Sequence, residues 1–275
     1  MSDFDLIAFD SMTRLRANIL SSNIEEINAT LAELRDNLDD ETFQAKTGSL
    51  FRDAIEKNEF QLVDCYLRNY ASINSQLIVK ATRNTSYQIL ELFLNYGWDI
   101  NMPIDSYSPP AIAFSFHDSD FTQWFLAHGA DPNRRSHEYT DCTPLSIAFK
   151  EADFAIIQTI LDHGASLRHG QIIHYAAMRE LDDRLEVLTY LLDRKHDSVN
   201  NIMYENCGDE YYFHMFSGIG TPLHHAAAGG LLDSVKLLVQ YGALPRMRDP
   251  AGQTAAEWAK MHGRKAIFDF LNLYL

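Results

Sequence analysis

The sequence predicts an all-α solenoid, built from helix–turn–helix units that stack on one another and project a turn between them. Three observations carry this expectation. The string TPLHHAA at Thr221–Ala227 returns in degraded form as TAAEWAK at Thr254–Lys260, 33 residues later, and SPPAIAF at Ser108 returns as TPLSIAF at Thr143, 35 residues later. An alanine in the first helix stands 16 residues before a glycine in Ala81–Gly97, Ala113–Gly129, Ala148–Gly164 and Ala226–Gly242. Beyond Gly242 come the turn formers Pro245, Asp249, Pro250 and Gly252. A fixed period of this size, with an apolar run and a glycine in register, is the mark of stacked repeats.

The elements follow in chain order. Residues 3–20 and 23–38 read as two helices parted by Ser21-Ser22, and in the second Ile24, Ile27, Leu31, Leu34 and Leu38 form one apolar stripe. Asp39-Asp40 and Thr47-Gly48 then suggest a break. A cap over the exposed core of the first repeat suits these helices, since solenoids need one. A dimerising coiled coil is the alternative, although two heptads are short for it. Residues 1–46 are thus expected to form an N-terminal helical cap, and residues 47–275 the repeat domain.

Seven units begin near Ser49, Gln76, Ser108, Thr143, Gln171, Thr221 and Thr254. The unit at Thr221 shows the logic best. Thr221 suits an N-cap and Pro222 the first helical position, where a missing N–H costs nothing. Leu223 faces inward, and Ala226 and Ala227 let neighbouring helices approach. Gly229-Gly230 ends the first helix. Leu232, Val235, Leu238 and Val239 stripe the second, which Gly242 closes in the left-handed conformation. In the units at Ser49 and Gln171, Ala71 and Lys195 take that glycine's place. A helix from Ala266 to Leu275 forms the C-terminal cap.

This pattern resembles the ankyrin repeat, whose signature is T-P-L-H-x-A. The resemblance covers about Thr47 to the C-terminus and is closest in the last two units and in the pair from Ser108. It implies that His224 and His174, at the fourth position of their units, are structural and bond backbone across neighbouring repeats.

Composition narrows the function. A formal net charge of −15 opposes nonspecific contact with nucleic acid or anionic lipid. About half of that charge lies in residues 1–60, where 13 acids face six bases. Three scattered cysteines, Cys65, Cys142 and Cys207, without a CxxC, read as free thiols of a reducing compartment. The acidic N-terminus does not read as a secretory signal, and no apolar run reaches 18 residues. Cytosol or nucleus is the expected location, and a monomer the expected state.

Specificity in a solenoid comes from its turns and concave face. Arg134 and Arg135 follow Gly129, Arg168 and His169 follow Gly164, and Arg246 and Arg248 follow Gly242. If corresponding turns point one way, these arginines form a row that pairs with carboxylate or phosphate. They could equally be solvated or paired with acids of adjacent turns. The second candidate is an insert over about residues 197–217, because Gln171 to Thr221 spans 50 residues rather than 33. Three of the 17 extra residues are assigned to the second helix and about 14 to the turn. The insert carries Tyr204, Tyr211, Tyr212, Phe213, His214, Met215 and Phe216, too aromatic for disorder. It either presents binding anchors or folds back to bury its rings, and the two are compatible. Trp98, standing where other units have alanine, is a packing substitution or an anchor.

Stacking could gather His225, His163, His169 and His214, but none has ligand spacing, so no metal and no cofactor is expected. Phosphate-cradling loops, nucleophile elbows and H-E-x-x-H are absent from the sequence. The expected function is non-catalytic binding of a partner protein, through an acidic or phosphorylated segment. An adaptor whose N-terminal helices recruit a second partner is a variant of it. The alternative is a small-molecule-binding or accessory enzyme role, using a pocket under the insert lined by Tyr211, His214 and an acid.

Overall fold

Each helix pair buries a stripe against its neighbours, and the described residues form the expected all-helical arrangement. The computed structural model describes residues 3–21, 23–69, 72–105, 108–136, 141–194, 199–215 and 218–274. Sixteen α-helices lie among them. The chain divides into two compact units, residues 1–99 and 100–275, each described by itself.

In the first unit, α1 (Asp3–Leu20) packs on α2 (Ile24–Asn37), which Asn23 caps by accepting from the Glu26 N–H. Ile27, Leu31 and Leu34 are buried where α2 meets α3 (Asp40–Glu56) and α4 (Phe60–Asn69). The stripe read from the sequence is therefore the packed face. The break expected at Thr47-Gly48 is absent, because α3 runs straight through it. Asp39 caps α3 by accepting from the Thr42 N–H at 2.8 Å. Gly48 inside a helix costs only about 1 kcal/mol, which the burial of Phe43, Thr47, Phe51 and Ala54 offsets. α5 (Ser75–Arg83) and α6 (Tyr87–Asn95) complete the unit. Trp98 is buried and meets Phe93 edge-on at 6.4 Å, so its ring is packing rather than surface. Ala71 lies outside the described residues.

In the second unit, first helices pack on first helices and second on second. A short 3₁₀ turn, Ala111–Phe114, precedes α7 (Ser119–Ala127). Then come α8 (Pro144–Glu151) with α9 (Phe154–Asp162), and α10 (Ile172–Ala177) with α11 (Arg184–Asp193). α12 (Asp209–His214) lies in the insert, followed by α13 (Pro222–Gly229) with α14 (Leu232–Gln240), and α15 (Ala255–Met261) with α16 (Lys265–Asn272). The 3₁₀ turn, α8, α10, α13 and α15 contact in succession, burying Leu145, Ala148, Ala176, Leu223 and Ala226. Thr143, Thr221 and Thr254 each form a capping box, with Ser146, His224 and Glu257 as partners.

Of the three extra residues expected in the second helix of the Gln171 unit, that helix takes one, with ten residues against nine in α9 and α14, and the turn before it is lengthened. Six residues, Met178–Asp183, separate α10 from α11, where only Ala152 and Asp153 separate α8 from α9. The reason is Arg179, which is fully buried. Its Nε and Nη2 donate to the two oxygens of Asp183 at 2.7 and 2.6 Å, and Nη1 donates to the Phe149 carbonyl at 3.3 Å. A buried guanidinium needs such a forked partner, and the longer turn supplies it.

Candidate functional site

The turns of the second unit are joined by asparagines. Asn101 donates to the Gly129 carbonyl at 2.9 Å and accepts from the Asp131 N–H at 2.6 Å. Asn133 does the same to Gly164 and Ser166, at 3.0 and 2.7 Å, and Asn200 to Gly242 and Leu244, at 3.1 and 2.8 Å. Asn101 and Asn133 each stand four residues after their glycine. In the next turn that position holds Arg168, whose side chain has no partner among the described residues. The offset was legible in the sequence and went unread.

His224 and His174 behave as the resemblance implies. Each Nε2 bonds a carbonyl of the following turn, His224 to Gln253 at 3.0 Å and His174 to Asn201 at 2.9 Å. Burial lowers the His174 pKa to about 4. His225 stands edge-on to His174 and to Trp258, and burial takes it to about 3. Among the described residues, no group of three or more His, Cys, Asp or Glu side chains is placed to hold a metal ion.

The insert folds back over α10. Met203, Tyr204 and Ile219 form a buried cluster, with Tyr175, Met178, Tyr211 and Met215 packed around it. Tyr204, at φ +63°, passes its N–H to the Gln171 side-chain oxygen at 3.0 Å. His214 stacks on its ring at 5.1 Å between centroids. Tyr204 is thus interior, and Tyr211 and His214 are half-buried. Tyr212 and Phe213 are different: α12 holds them outward, 69% and 66% exposed. Phe216 lies outside the described residues.

Glu210 anchors this arrangement. It is 2% exposed, and both its oxygens accept from the backbone N–H of Asp141, at 3.0 and 2.9 Å. Burial raises its pKa to about 7, against the opposing effect of that N–H. The Asp141 carboxylate is also buried. It accepts from Gln171 Nε2 at 2.8 Å and lies 3.3 Å from Arg135 Nε. Burial pushes the neighbouring Cys207 thiol up to about 12, so it is no nucleophile at neutral pH. No sequence signal marked Glu210, whose partner is 69 residues away.

Between insert and turns lies a polar cavity of about 240 Å³, lined among others by Arg135, Asp141, Arg168, His169, Glu205 and Asn206. The two surfaces singled out from the sequence therefore meet there. The five arginines part company. Arg135 pairs with Asp141 and reaches His169 Nδ1 at 3.3 Å. Arg134 and Arg168 are exposed, with no side-chain partner among the described residues. Arg246 donates to the Tyr274 carbonyl at 2.8 Å, and Arg248 to the Gly252 carbonyl, with Glu257 at 3.8 Å. The pocket expected under Tyr211 and His214 differs from the one found, which neither residue lines. A second, apolar cavity of about 230 Å³ lies in the first unit, among Ile19, Ile24, Ile27, Phe60 and Leu62. No described helix is long and apolar enough to cross a membrane.

A family model described as Ankyrin repeat matches residues 220–250, which are α13, α14 and the turn after them. The chain is 44% identical over 59 residues to a probable E3 ubiquitin-protein ligase XBOS33 of Oryza sativa subsp. japonica, covering 22% of this chain and 11% of that protein. It is 52% identical over 44 residues to a putative E3 ubiquitin-protein ligase XBAT34 of Arabidopsis thaliana, covering 16% and 12%. An Espin-like protein of Homo sapiens is 40% identical over 52 residues, covering 19% and 5%. The chain thus spans about an eighth or less of the length of these relatives.

Proposed function

We infer that this ankyrin-repeat chain is a non-catalytic module that docks a partner protein at the cavity between the Gly129 and Gly164 turns and the insert. Ankyrin repeats are generally protein–protein interaction modules. The observation that carries the finer reading is the outward pair Tyr212 and Phe213, held on a helix anchored by Glu210, beside a cavity edged by Arg135 and Arg168. A rigid scaffold that exposes two large rings is keeping them for contact. The unpaired guanidiniums of Arg134 and Arg168 suit an acidic or phosphorylated segment. Arg246 and Arg248, tied to carbonyls at the far end, serve the fold. Ligase activity in the named relatives is not carried over, because the matched stretches are short. The module works as a monomer in cytosol or nucleus, where its three free cysteines stay reduced.

A random-peptide display library selected on the whole chain tests this. Support would be acid-rich peptides that bind more weakly at high salt and are lost on Tyr212→Ser with Phe213→Ser, and on Arg134→Ala with Arg168→Ala. Peptides that bind every variant equally would place the surface elsewhere and end the reading.

A further inference from the structure

Asp141 and Glu210 are two buried carboxyl groups joined through one backbone N–H, and Arg135 stands beside the first of them. The groups that face Glu210 are Asp141, Arg135, the thiols of Cys142 and Cys207, and the Tyr204 phenol. Arg135 alone among these is positive. It sits in the cavity wall, 3.3 Å from Asp141 on one side and 3.3 Å from His169 on the other. Neighbouring carboxylates raise one another's pKa, and a nearby cation opposes that rise.

A negatively charged group entering the cavity meets Arg168, Arg135 and His169, with the Asp141 and Glu205 carboxylates in the same lining. Arg135, which faces Asp141 through Nε and His169 through Nη2, has further N–H donors with which to bond it. The ligand adds a further negative charge to the same pocket. A buried carboxylate that gains a further negative neighbour takes up a proton, and Glu210, already beside Asp141, is the one raised to about 7.

We propose that the cavity binds an oxyanion on Arg168, Arg135 and His169, and that one proton passes from solvent to the Glu210 carboxylate as it binds. This rests on the reading of the cavity as the docking site for an acidic segment, and adds that docking is tighter in mildly acidic surroundings. The carbonyl-like oxygen of protonated Glu210 still accepts from the Asp141 N–H, so the insert stays anchored.

Sulfate is the probe, because its charge does not change between pH 6 and pH 8. Its affinity for the whole chain, at constant ionic strength, is expected to fall roughly fivefold from pH 7 to pH 8. Glu210→Gln should flatten that dependence while His169→Gln keeps it. In the wild type, the Glu210 carboxyl followed by NMR should titrate at higher pH when sulfate saturates the site, which covers the case of a variant that fails to fold. Acetate in place of sulfate separates a planar carboxylate from a tetrahedral phosphate as the group taken. An unmoved Glu210 titration, or a pH dependence that survives Glu210→Gln and vanishes in His169→Gln, overturns the proton coupling alone. Absence of binding by either anion overturns the oxyanion site itself.

Discussion

Glu210 accepts the backbone N–H of Asp141 with both carboxylate oxygens, across 69 residues of sequence. That contact fixes a loop-borne helix to the strand-like approach of α8, and it is the reason two aromatic rings can stand in solvent on a defined support.

Removing it should loosen the insert and little else. Glu210→Ala leaves the buried Asp141 N–H without a partner, a loss of about 1–3 kcal/mol. Hydrogen exchange of residues 199–215 should quicken by roughly ten- to a hundredfold, with α13 to α16 unchanged. Uniform acceleration through the second unit would show that the insert is not a separate opening element.

Two sets of buried groups push stability in opposite directions between about pH 4 and pH 7, at different addresses. His174 and His225 are neutral in the fold, held down to about 4 and about 3 by burial. Their contribution is present above the unfolded value of 6.5 and is lost as pH falls toward those values. Glu210 runs the other way, since its raised pKa gives stability that is full below 4.5 and is lost as pH rises through about 7. Thermal melts across pH 3–8 should therefore show an acid limb that His225→Phe reduces. A melt indifferent to His225→Phe at pH 4 would assign that limb to other groups.

Gly170 and Gly164 both have positive φ, at +90° and +87°, but only one is sterically trapped. A Cβ on Gly170 would collide with Ser146 Oγ and Thr143 Oγ1, whose capping box it abuts, whereas a Cβ on Gly164 meets nothing. Gly164→Ala should cost about 1 kcal/mol in urea unfolding, the strain of the left-handed region. Gly170→Ala should cost upward of about 3 kcal/mol. Equal costs would refute the packing account.

Asn133 and Arg168 occupy equivalent steps of consecutive turns. Asn133→Ala breaks two bonds to the next turn and should cost about 1 kcal/mol. Arg168→Ala removes a side chain bonded to nothing described and should change stability by less than about 0.5 kcal/mol. Matching losses would mean that Arg168 serves the fold and is not free for a ligand.

What the sequence disclosed follows from the range of the forces involved. Capping boxes, apolar stripes and closing glycines act within a few residues, so Thr221-Pro222, Leu223 and Gly242 could be read directly. The aromatic insert was visible as excess length, and its rings divide: Tyr204 goes in, Tyr212 and Phe213 stay out. Their division is decided by Glu210 meeting Asp141, a pairing no local pattern encodes. Arg179 escaped for the same reason, since a charged residue in a longer turn reads as solvated until Asp183 and the Phe149 carbonyl are seen around it. Gly48 misled because a glycine's local cost is small beside the burial of Phe43 and Phe51.

The insert divides its labour along its length: Met203, Tyr204 and Glu210 hold it, while Tyr212 and Phe213 stand outward, edge-on to Tyr211 and His214 of the same helix. The contact residues can therefore mutate without dragging the repeat register or the buried ladder with them. In most repeat surfaces a new specificity must be negotiated with the stacking of neighbouring units. Here it can be rewritten two letters at a time, so divergence between related chains should concentrate at 212 and 213 and leave 204 and 210 standing.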